Sequence, residues 1–323
     1  MAKAKWLWLG LLGGGLLLLP QWTARTDVLN LLFLIFLFSA LASSWNILSG
    51  YAGQISLGHA AFFGLGALTT RLLWLAADWP FSLSLLAGGG AAVTLALLIG
   101  LPALRLKGIY FSIGTLAMAE ILRLTVSNRL PTVSALPAEH IAGYDLAPRY
   151  YLALGLMILT MGTGYILGRS RAGLGMLAVR EDEEAAQSVG INAFRHKLLA
   201  LVLSAFFAGL TGSTFAYYHV SYYHALPFSP AWTFDALLIT FVGGIGSLIG
   251  PIVGAIFFVL LRDVLAKTWV DIHLILFGSL FILVVLLLPG GLVEAWERIV
   301  TVTPKIQARF KIFNPIKSIR RIE

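Results

Sequence analysis

Polar side chains interrupt an apolar stretch at Gly53–Ala67, whose sequence is GQISLGHAAFFGLGA. Gln54 and Ser56 can donate hydrogen bonds to a carboxylate without adding charge, which suits a path for a zwitterion. His59 follows Gly58, where two helices can approach closely, and it either bonds a backbone carbonyl across that interface or touches a ligand. The stretch therefore predicts either a polar path or the interhelical hydrogen bonds of a packed interface.

A second polar group, Glu120 with Arg123, lies in the apolar run Ile109–Leu124. An ionisable side chain inside a membrane costs about 2.5–3.5 kcal/mol on insertion scales, so it needs a partner or a function. The three-residue spacing permits an ion pair on one helix face, and the alternative is that Glu120 lines a path. The histidines show no ligand spacing and cysteine is absent, so we expect no metal site and no thiol chemistry.

The composition identifies the kind of protein that carries these groups. The chain has 323 residues, of which 59% are hydrophobic and 12% charged, and its mean hydropathy is +0.87. A soluble protein of this length would need more polar surface. The net charge of +8 lies in short clusters between apolar runs, a pattern typical of membrane topology and not of nucleic-acid binding. We predict an all-α polytopic protein of the lipid bilayer, with about eight to ten transmembrane helices, some broken or short.

The apolar runs are long enough for helices and lack the alternating pattern of barrel strands. Lys3 and Lys5 precede the first run, which we interpret as a retained helix because no small-residue cleavage site follows it. The runs are Trp6–Leu19, Val28–Leu48, Ile55–Ala77, Phe81–Leu104, Ile109–Leu124, Tyr151–Leu167, Leu198–Tyr218, Phe234–Leu261 and Ile272–Leu288.

Lys and Arg accumulate in cytoplasmic loops, which places the N-terminus, the segment 169–197 and the basic tail 301–323 in the cytoplasm. Counting Phe234–Leu261 as one crossing would put the tail outside. Its middle, Val242–Pro251, is rich in glycine, which costs about 1 kcal/mol in a helix interior, and ends in proline, which costs about 3 kcal/mol. We therefore predict two short elements in Phe234–Leu261. The whole of 1–300 is predicted to form a single membrane domain. One long tilted helix, with a miscounted run elsewhere, is the alternative.

Two glycine-rich regions of the chain show a weak internal sequence similarity. Gly53-x-x-Ser56-Leu57-Gly58 and Gly244-x-x-Ser247-Leu248-x-Gly250 share a rhythm of small residues. Duplicated, glycine-interrupted segments often flank the substrate path of a transporter, although glycine-rich helices also resemble one another by chance. The candidate path residues are Gly53, Gln54, Ser56, Gly58, His59, Glu120, Gly243, Gly244, Gly246 and Ser247.

The cytoplasmic segment Gly168–Lys197 combines charge with helix-forming residues. Met176–Val189 contains no proline and predicts a short helix that Gly190 ends, and Asn192 caps the next helix. Small alanines beside acidic residues suit a groove on a protein better than an anionic membrane surface. We predict protein docking here; the alternative is a solvated charged loop.

Glu184-Ala185-Ala186, followed by Gly190, resembles the EAA---G loop of ABC importer permeases. The whole of Arg169–Ala216 resembles the branched-chain amino acid (LivM-type) permeases. Further blocks that resemble this family, in order between about residues 28 and 296, are YAGQISLGHAAFFGLGA, FSIGTLAMAEILR (Phe111–Arg123), FVGGIGSLIGPIVGAIF (Phe241–Phe257) and Leu288-Pro289-Gly290-Gly291-Leu292.

The resemblance implies the ABC importer permease fold and a heteromeric, ATP-driven importer in the bacterial cytoplasmic (inner) membrane. Its other components would be a homologous second permease, two cytoplasmic ATP-binding subunits and a periplasmic or tethered solute-binding protein. This chain has no G-x-x-x-x-G-K-[ST] loop, so the partners would bind ATP and Mg²⁺, and we expect neither a cofactor nor enzymatic activity in this chain. The implied coupling residues are Arg180, Glu181, Asp182, Glu183, Glu184, Ala185, Ala186 and Gly190.

The chain departs from this family in one external segment. Thr125–Pro131 lacks the expected glycines, and the region carries Arg129, Glu139, His140 and Asp145. This loop is expected to face the binding protein or the outer mouth, so the substrate is a branched-chain amino acid or, alternatively, urea, a short amide or another amino acid.

We expect Asp235 near a helix N-terminus. We interpret the tyrosines Tyr217, Tyr218, Tyr222 and Tyr223 as an interfacial belt.

Two other classes of protein remain as alternatives. An ion-coupled secondary transporter would need a mid-membrane site, for which Glu120 is the candidate. An intramembrane enzyme is disfavoured, because the apolar runs contain no serine–histidine, paired-aspartate or HExxH arrangement.

Overall fold

A computed structural model describes residues 14–22, 25–268 and 290–300, and a few positions between 275 and 286. Residues 14–22 are helical and belong in part to the predicted first run. Most of the predicted run Ile272–Leu288 and all of the predicted tail 301–323 lie outside the described residues.

The described elements are mostly helices, and their order along the chain is as follows. They are α1 (Thr26–Asn46), a π-helical turn (Ile47–Tyr51), α2 (His59–Ala76), α3 (Phe81–Ala103), α4 (Ile109–Arg129), β1 (Val133–Ala135), α5 (Ala138–Ala142), α6 (Leu146–Arg169), α7 (Arg171–Glu181), α8 (Glu183–Ser188), α9 (Ala193–Tyr218), β2 (Ser221–Tyr223), a 3₁₀ turn (Leu226–Phe228), α10 (Ala231–Gly243), α11 (Gly250–Thr268) and α12 (Gly291–Val300).

Five helical stretches among the described residues are long and apolar enough to cross a bilayer. They are α1 with its π turn (Thr26–Tyr51), α3, α4, α6 and α9. This result confirms the predicted all-α polytopic membrane protein. The strands β1 and β2 form a short antiparallel pair in which Ser134 lies opposite Tyr222.

Helices α1 and α9 form the centre of the bundle, because they are the most deeply buried of these stretches. Glycines let α9 approach α2 closely: a Cβ added at Gly66 would overlap the backbone of Gly209. Thr70 of α2 donates a 2.7 Å hydrogen bond to Ser213 of α9. Small residues and interhelical hydrogen bonds are what drives helix association inside a bilayer, where the hydrophobic effect between helices is weak.

The predicted break in Phe234–Leu261 is confirmed. Helix α10 ends at Gly243 and α11 begins at Gly250. Arg262, late in α11, lies 3.9 Å from Asp235, near the start of α10, so the two helices run antiparallel. The alternative of one long tilted helix is therefore wrong for this segment.

Several predicted boundaries are wrong by a few residues. The run Ile55–Ala77 becomes helical only at His59, so residues 53–58 are irregular. Helix α9 begins at Ala193, directly after the predicted cap Asn192, and so extends beyond the apolar run Leu198–Tyr218 at its start. The single helix predicted over Met176–Val189 is two helices, α7 and α8, separated at Asp182. We call the end of the bundle that carries α7 and α8 the inner end and the opposite one the outer end, following the predicted topology.

Candidate functional site

The irregular residues 53–58 are held in place by side chains from neighbouring helices. The Trp45 indole donates a 2.8 Å hydrogen bond to the Ser56 carbonyl. On α4, Ser112 donates to the Ile55 carbonyl at 2.6 Å, and Thr115 accepts from the Leu57 amide at 3.1 Å. Irregular backbone at membrane depth is tolerated only where protein or water satisfies it, so α1 and α4 make this break possible.

The predicted polar residues of this stretch take different positions. Ser56 is buried, and its hydroxyl accepts a 3.2 Å hydrogen bond from the Gly58 amide. Gln54 is half-buried, and its carbonyl accepts from the Ser49 hydroxyl at 2.9 Å. A Cβ added at Gly58 would lie 2.9 Å from the Thr115 Cβ, so Gly58 permits the close approach of α4.

His59 is fully buried and joins a chain of hydrogen bonds between helices. Its Nε2 lies 2.6 Å from the Ser204 hydroxyl, which donates in turn to the Ser44 carbonyl at 2.6 Å. Because the serine proton is used on Ser44, this network assigns the proton of the histidine to Nε2. The Nδ1 atom is buried without a partner among the described residues.

The end of α1, just before the first glycine-rich region, meets the second region at the inner end through Asn46, a residue that was not predicted from the sequence. Its Oδ1 accepts a 2.7 Å hydrogen bond from the Gly246 amide, and its Nδ2 donates to the Ser247 carbonyl at 2.9 Å. A Cβ added at Gly50 would overlap the Asn46 side chain and lie 2.9 Å from the Gly246 nitrogen. We call Asn46, Gly50, Gly246 and Ser247 the glycine junction. An amide in an apolar run was the available signal for Asn46.

Gly243 and Gly244 contact other glycines in the same region. A Cβ added at Gly243 would overlap the backbone of Gly250. Gly244 has φ +119°, and its added Cβ would lie 3.1 Å from the Gly290 carbonyl oxygen. Gly291 has φ +75° and lies against Gly244 in turn. Gly290 and Gly291, from the sequence block 288–292, therefore lie against the block 241–257 in the fold.

The inner-end segment 171–190 is built from two capped helices. The Asp182 carboxylate accepts hydrogen bonds from the amides of Glu184 at 2.9 Å and Ala185 at 3.0 Å, which starts α8 and explains the split. Gly190 has φ +87°, and the Ile191 amide bonds the Ala186 carbonyl at 3.0 Å. These bonds form a Schellman motif and confirm the predicted helix end.

The same segment is anchored to α9. Lys197, whose side chain is 5% exposed, lies 2.6 Å from the Glu183 carboxylate. Asn192 caps α9 as predicted, accepting from the Arg195 amide at 3.0 Å. Ala186 is buried in a small apolar cluster with Val179 and Ala193. The residues left exposed on the segment are Arg171, Leu174, Glu181, Asp182, Glu184, Ala185, Gln187, Ser188, Val189 and Gly190.

Arg180 points away from that exposed face and into the bundle. Its Nη1 donates a hydrogen bond to the Gly50 carbonyl. Gly53 has φ +69°, and a Cβ added there would lie 2.9 Å from the Arg180 Cγ. Arg180 therefore joins the inner-end segment to the π turn that ends α1.

Glu120 and Arg123 form the ion pair that their spacing allows. Arg123 Nε donates to Glu120 Oε2 at 2.8 Å, and Nη2 bonds the other carboxylate oxygen. Both side chains are about one-third exposed on α4, the least buried of the candidate spans. No group of three metal-binding side chains occurs in the part of the chain that the structure describes.

The outer end is organised around two buried arginines. Arg71 donates to the carbonyls of Ala216 at 2.9 Å and Val220 at 2.8 Å. Arg149 lies between the rings of Tyr144 and Tyr217, at 3.8 and 4.3 Å.

The prediction of an interfacial position is wrong for Tyr222, which is buried against Phe215 of α9 and lies 5.2 Å from the Arg71 guanidinium. Burial, and secondarily the charge of Arg71, lowers the pKa of His219 to about 4. In the external segment, Asp145 caps α6 by accepting from the Ala147 amide at 3.0 Å, and His140 packs on Trp74.

Comparison with known proteins shows which family this chain resembles. A family model described as the permease component of a branched-chain amino acid transport system matches residues 28–285. The "High-affinity branched-chain amino acid transport system permease protein LivM" of Escherichia coli (strain K12) is 30% identical over 291 residues, which cover 80% of this chain and 68% of that protein. The protein of the same name from Salmonella typhimurium (strain LT2) is 29% identical over 288 residues, covering 79% and 67%. No solved structure matches the chain significantly. The chain therefore belongs to the family of branched-chain amino acid transport system permease components.

Proposed function

We propose that this chain is the transmembrane subunit of an ATP-driven ABC importer that moves branched-chain amino acids inward across the bacterial cytoplasmic membrane. Its partners are a homologous second permease, two cytoplasmic ATP-binding subunits that bind ATP and Mg²⁺, and a periplasmic or tethered solute-binding protein. Both termini lie in the cytoplasm. The observation that carries this proposal is the inner-end segment 171–190.

This segment has the properties of a docking element. Its buried side is fixed to α9 by the pair Lys197–Glu183 and by the apolar cluster around Ala186. Its other side presents acidic and small residues to solvent, together with Val189, which is 77% exposed. A rigid helix with a short-side-chain surface can enter a groove on a partner protein, whereas a flexible loop would lose more conformational entropy on binding.

The substrate path is proposed to run beside the glycine junction and α4. The Glu120–Arg123 pair lies at mid-helix and is partly exposed, and contact with lipid there would be costly. A water-filled path or a second subunit is a better neighbour for such a pair. Glycine and small polar residues at the two breaks then supply weak contacts, while the solute-binding protein supplies most of the selectivity.

The docking assignment is tested with Ala185→Arg. Ala185 is exposed, so a large side chain disturbs a partner's groove and leaves this chain's own packing intact. We expect the assembled transporter to lose its ATP-binding subunits on purification, as it should when residues 184–190 are deleted. Arg105→Trp, at an exposed position between α3 and α4 and outside the segment 171–190, serves as the control and should keep them. Retention of the ATP-binding subunits in both the Ala185→Arg and the deletion variants would disprove the assignment.

The energy source and the substrate need separate measurements. Glu120 makes hydrogen bonds through both carboxylate oxygens to Arg123, an arrangement that disfavours the ion-coupled alternative. Uptake that stops on ATP depletion and survives an uncoupler supports ATP-driven import; the reverse result supports ion coupling. Binding of leucine, urea and short amides to the solute-binding protein distinguishes the candidate substrates.

A further inference from the structure

The π turn at the end of α1 leaves the Gly50 carbonyl available to a donor from another part of the chain. Residues 47–51 form this turn, and the chain becomes irregular from Gly53. The last carbonyls of a helix lack intrahelical donors and carry partial negative charge, so a cation there is favourable. The last turn of α1 contains no basic residue. Arg180, remote in sequence, supplies the cation and bonds the Gly50 carbonyl.

The aliphatic part of the Arg180 side chain packs directly against Gly53, where a larger residue would not fit. A Cβ added at Gly53 would lie 2.9 Å from the Arg180 Cγ and 3.3 Å from its Cα, so the two backbones are in close contact. Any movement of α7 therefore acts on the Gly50–Gly53 turn through direct contact as well as through the hydrogen bond.

Packing and hydrogen bonds also join the π turn to the second helix break, which lies between α10 and α11. Gly50 packs against Asn46 and the Gly246 nitrogen, and Asn46 holds Gly246 and Ser247 by hydrogen bonds of 2.7 and 2.9 Å. The α1–α2 break and the α10–α11 break consequently share one contact region, the glycine junction. Helix breaks are where a membrane bundle can bend without separating packed helices.

The segment that carries Arg180 is itself fixed to α9. Its α8 end is tied by Lys197 and Glu183, and a Cβ added at Gly175 in α7 would overlap the His196 ring. A displacement of this segment therefore reaches the two breaks through Arg180 as well as through α9.

We propose that Arg180 is a positioning residue that transmits movement of the segment 171–190 to the glycine junction, so that both helix breaks change conformation together. This inference rests on the proposed function, because it takes the segment as the docking site of an ATP-binding subunit. It assigns to Arg180 a role distinct from docking, since its guanidinium contacts the membrane bundle and not the exposed face.

The test uses the complete transporter in proteoliposomes, with leucine as the transported probe. Arg180→Ala should keep the ATP-binding subunits and the basal rate of ATP hydrolysis, but should lower the amount of leucine moved per ATP by about tenfold, within the usual range of coupling between sites. Arg180→Lys should recover part of this ratio, because an ammonium can still donate to Gly50. Arg105→Ala, which removes an exposed arginine outside the segment 171–190, is the matched control and should retain the parental ratio.

A conformational readout separates transmission from simple loss of stability. This chain contains no cysteine, so Ile55→Cys introduces a single thiol at the irregular turn. Its rate of maleimide labelling should differ between the nucleotide-free and vanadate-trapped transporter, and Arg180→Ala should abolish that difference.

An unchanged leucine-to-ATP ratio in Arg180→Ala would overturn the proposal, as would a labelling difference that persists without the guanidinium. Loss of the ATP-binding subunits from Arg180→Ala would also overturn it, because Arg180 would then belong to the docking surface. Retention of those subunits by the Ala185→Arg variant and by the deletion of residues 184–190 instead contradicts the proposed function, so the two failures are distinguishable.

Discussion

At the scale of single residues, several buried polar side chains replace hydrogen bonds that a continuous helix would have made itself. Asn46 bonds the irregular loop between α10 and α11, and the Trp45 indole bonds the one before α2. Arg71 does the same at the outer end, where its guanidinium bonds α9, β1 and Val220, the residue before β2. A backbone group left unpaired inside a membrane protein costs several kcal/mol, so each of these side chains permits a break at its position.

Replacement of Arg71 by alanine should destabilise the outer end. Arg71 is 1% exposed and donates hydrogen bonds to Ser134, Ala216, His219 and Val220. Their carbonyls would lose this donor, and we expect the free energy of unfolding to fall by about 3 kcal/mol. Thermal unfolding in detergent measures the effect. Arg129→Ala, at the exposed end of α4, is the control, and equal stability of the two variants would contradict the structural role of Arg71.

At the scale of elements, the ends of the inner-end helices follow local chemistry. Asp182 caps α8, Gly190 ends it and Asn192 begins α9, each through bonds to residues within five positions. Local signals of this kind can be found in sequence, and Gly190 and Asn192 were predicted. Asp182 was missed because a run of good helix formers concealed a capping residue whose cost inside a helix is small.

Gly190→Ala should loosen the end of α8. Nothing lies within 4 Å of a Cβ added at Gly190, but its φ is +87°. The left-handed conformation therefore costs alanine about 1 kcal/mol through strain alone. Hydrogen exchange of the Ile191 amide should become about fivefold faster. Gly190→Asn is the matched control, since asparagine tolerates this conformation better; identical exchange in the two variants would show that strain is not the cause.

At the scale of the whole molecule, burial is distributed unevenly among the spans. The most apolar window of Thr26–Tyr51 is 83% buried and that of α9 is 72% buried, against 22% for α4 and 33% for α3. Most of the surface of the central helices α1 and α9 is thus covered by other parts of this chain, while α3 and α4 present large apolar surfaces. Helix α4 also carries the partly exposed Glu120–Arg123 pair, for which contact with lipid would be costly.

The surroundings of α4 and α6 should therefore differ in the assembled transporter. In this cysteine-free chain, Ala117→Cys places a thiol one turn before Glu120, and Ile158→Cys places one on the exposed face of α6. We expect a polar maleimide to label position 117, because water at the ion pair lets the thiol ionise, and to leave position 158 unlabelled in lipid. Equally low labelling at both positions would contradict an aqueous path beside α4.

The sequence by itself determined the membrane class, most helices, the break between α10 and α11, and the family. These features follow from run length, from glycine and proline, and from residues close together in the chain. Only the tertiary structure decided which polar groups that are remote in sequence meet. Asn46 lies about 200 residues from Ser247, and Arg180 about 130 residues from Gly50. Contacts of that separation depend on the direction each helix face takes in the packed bundle, which short-range patterns do not encode.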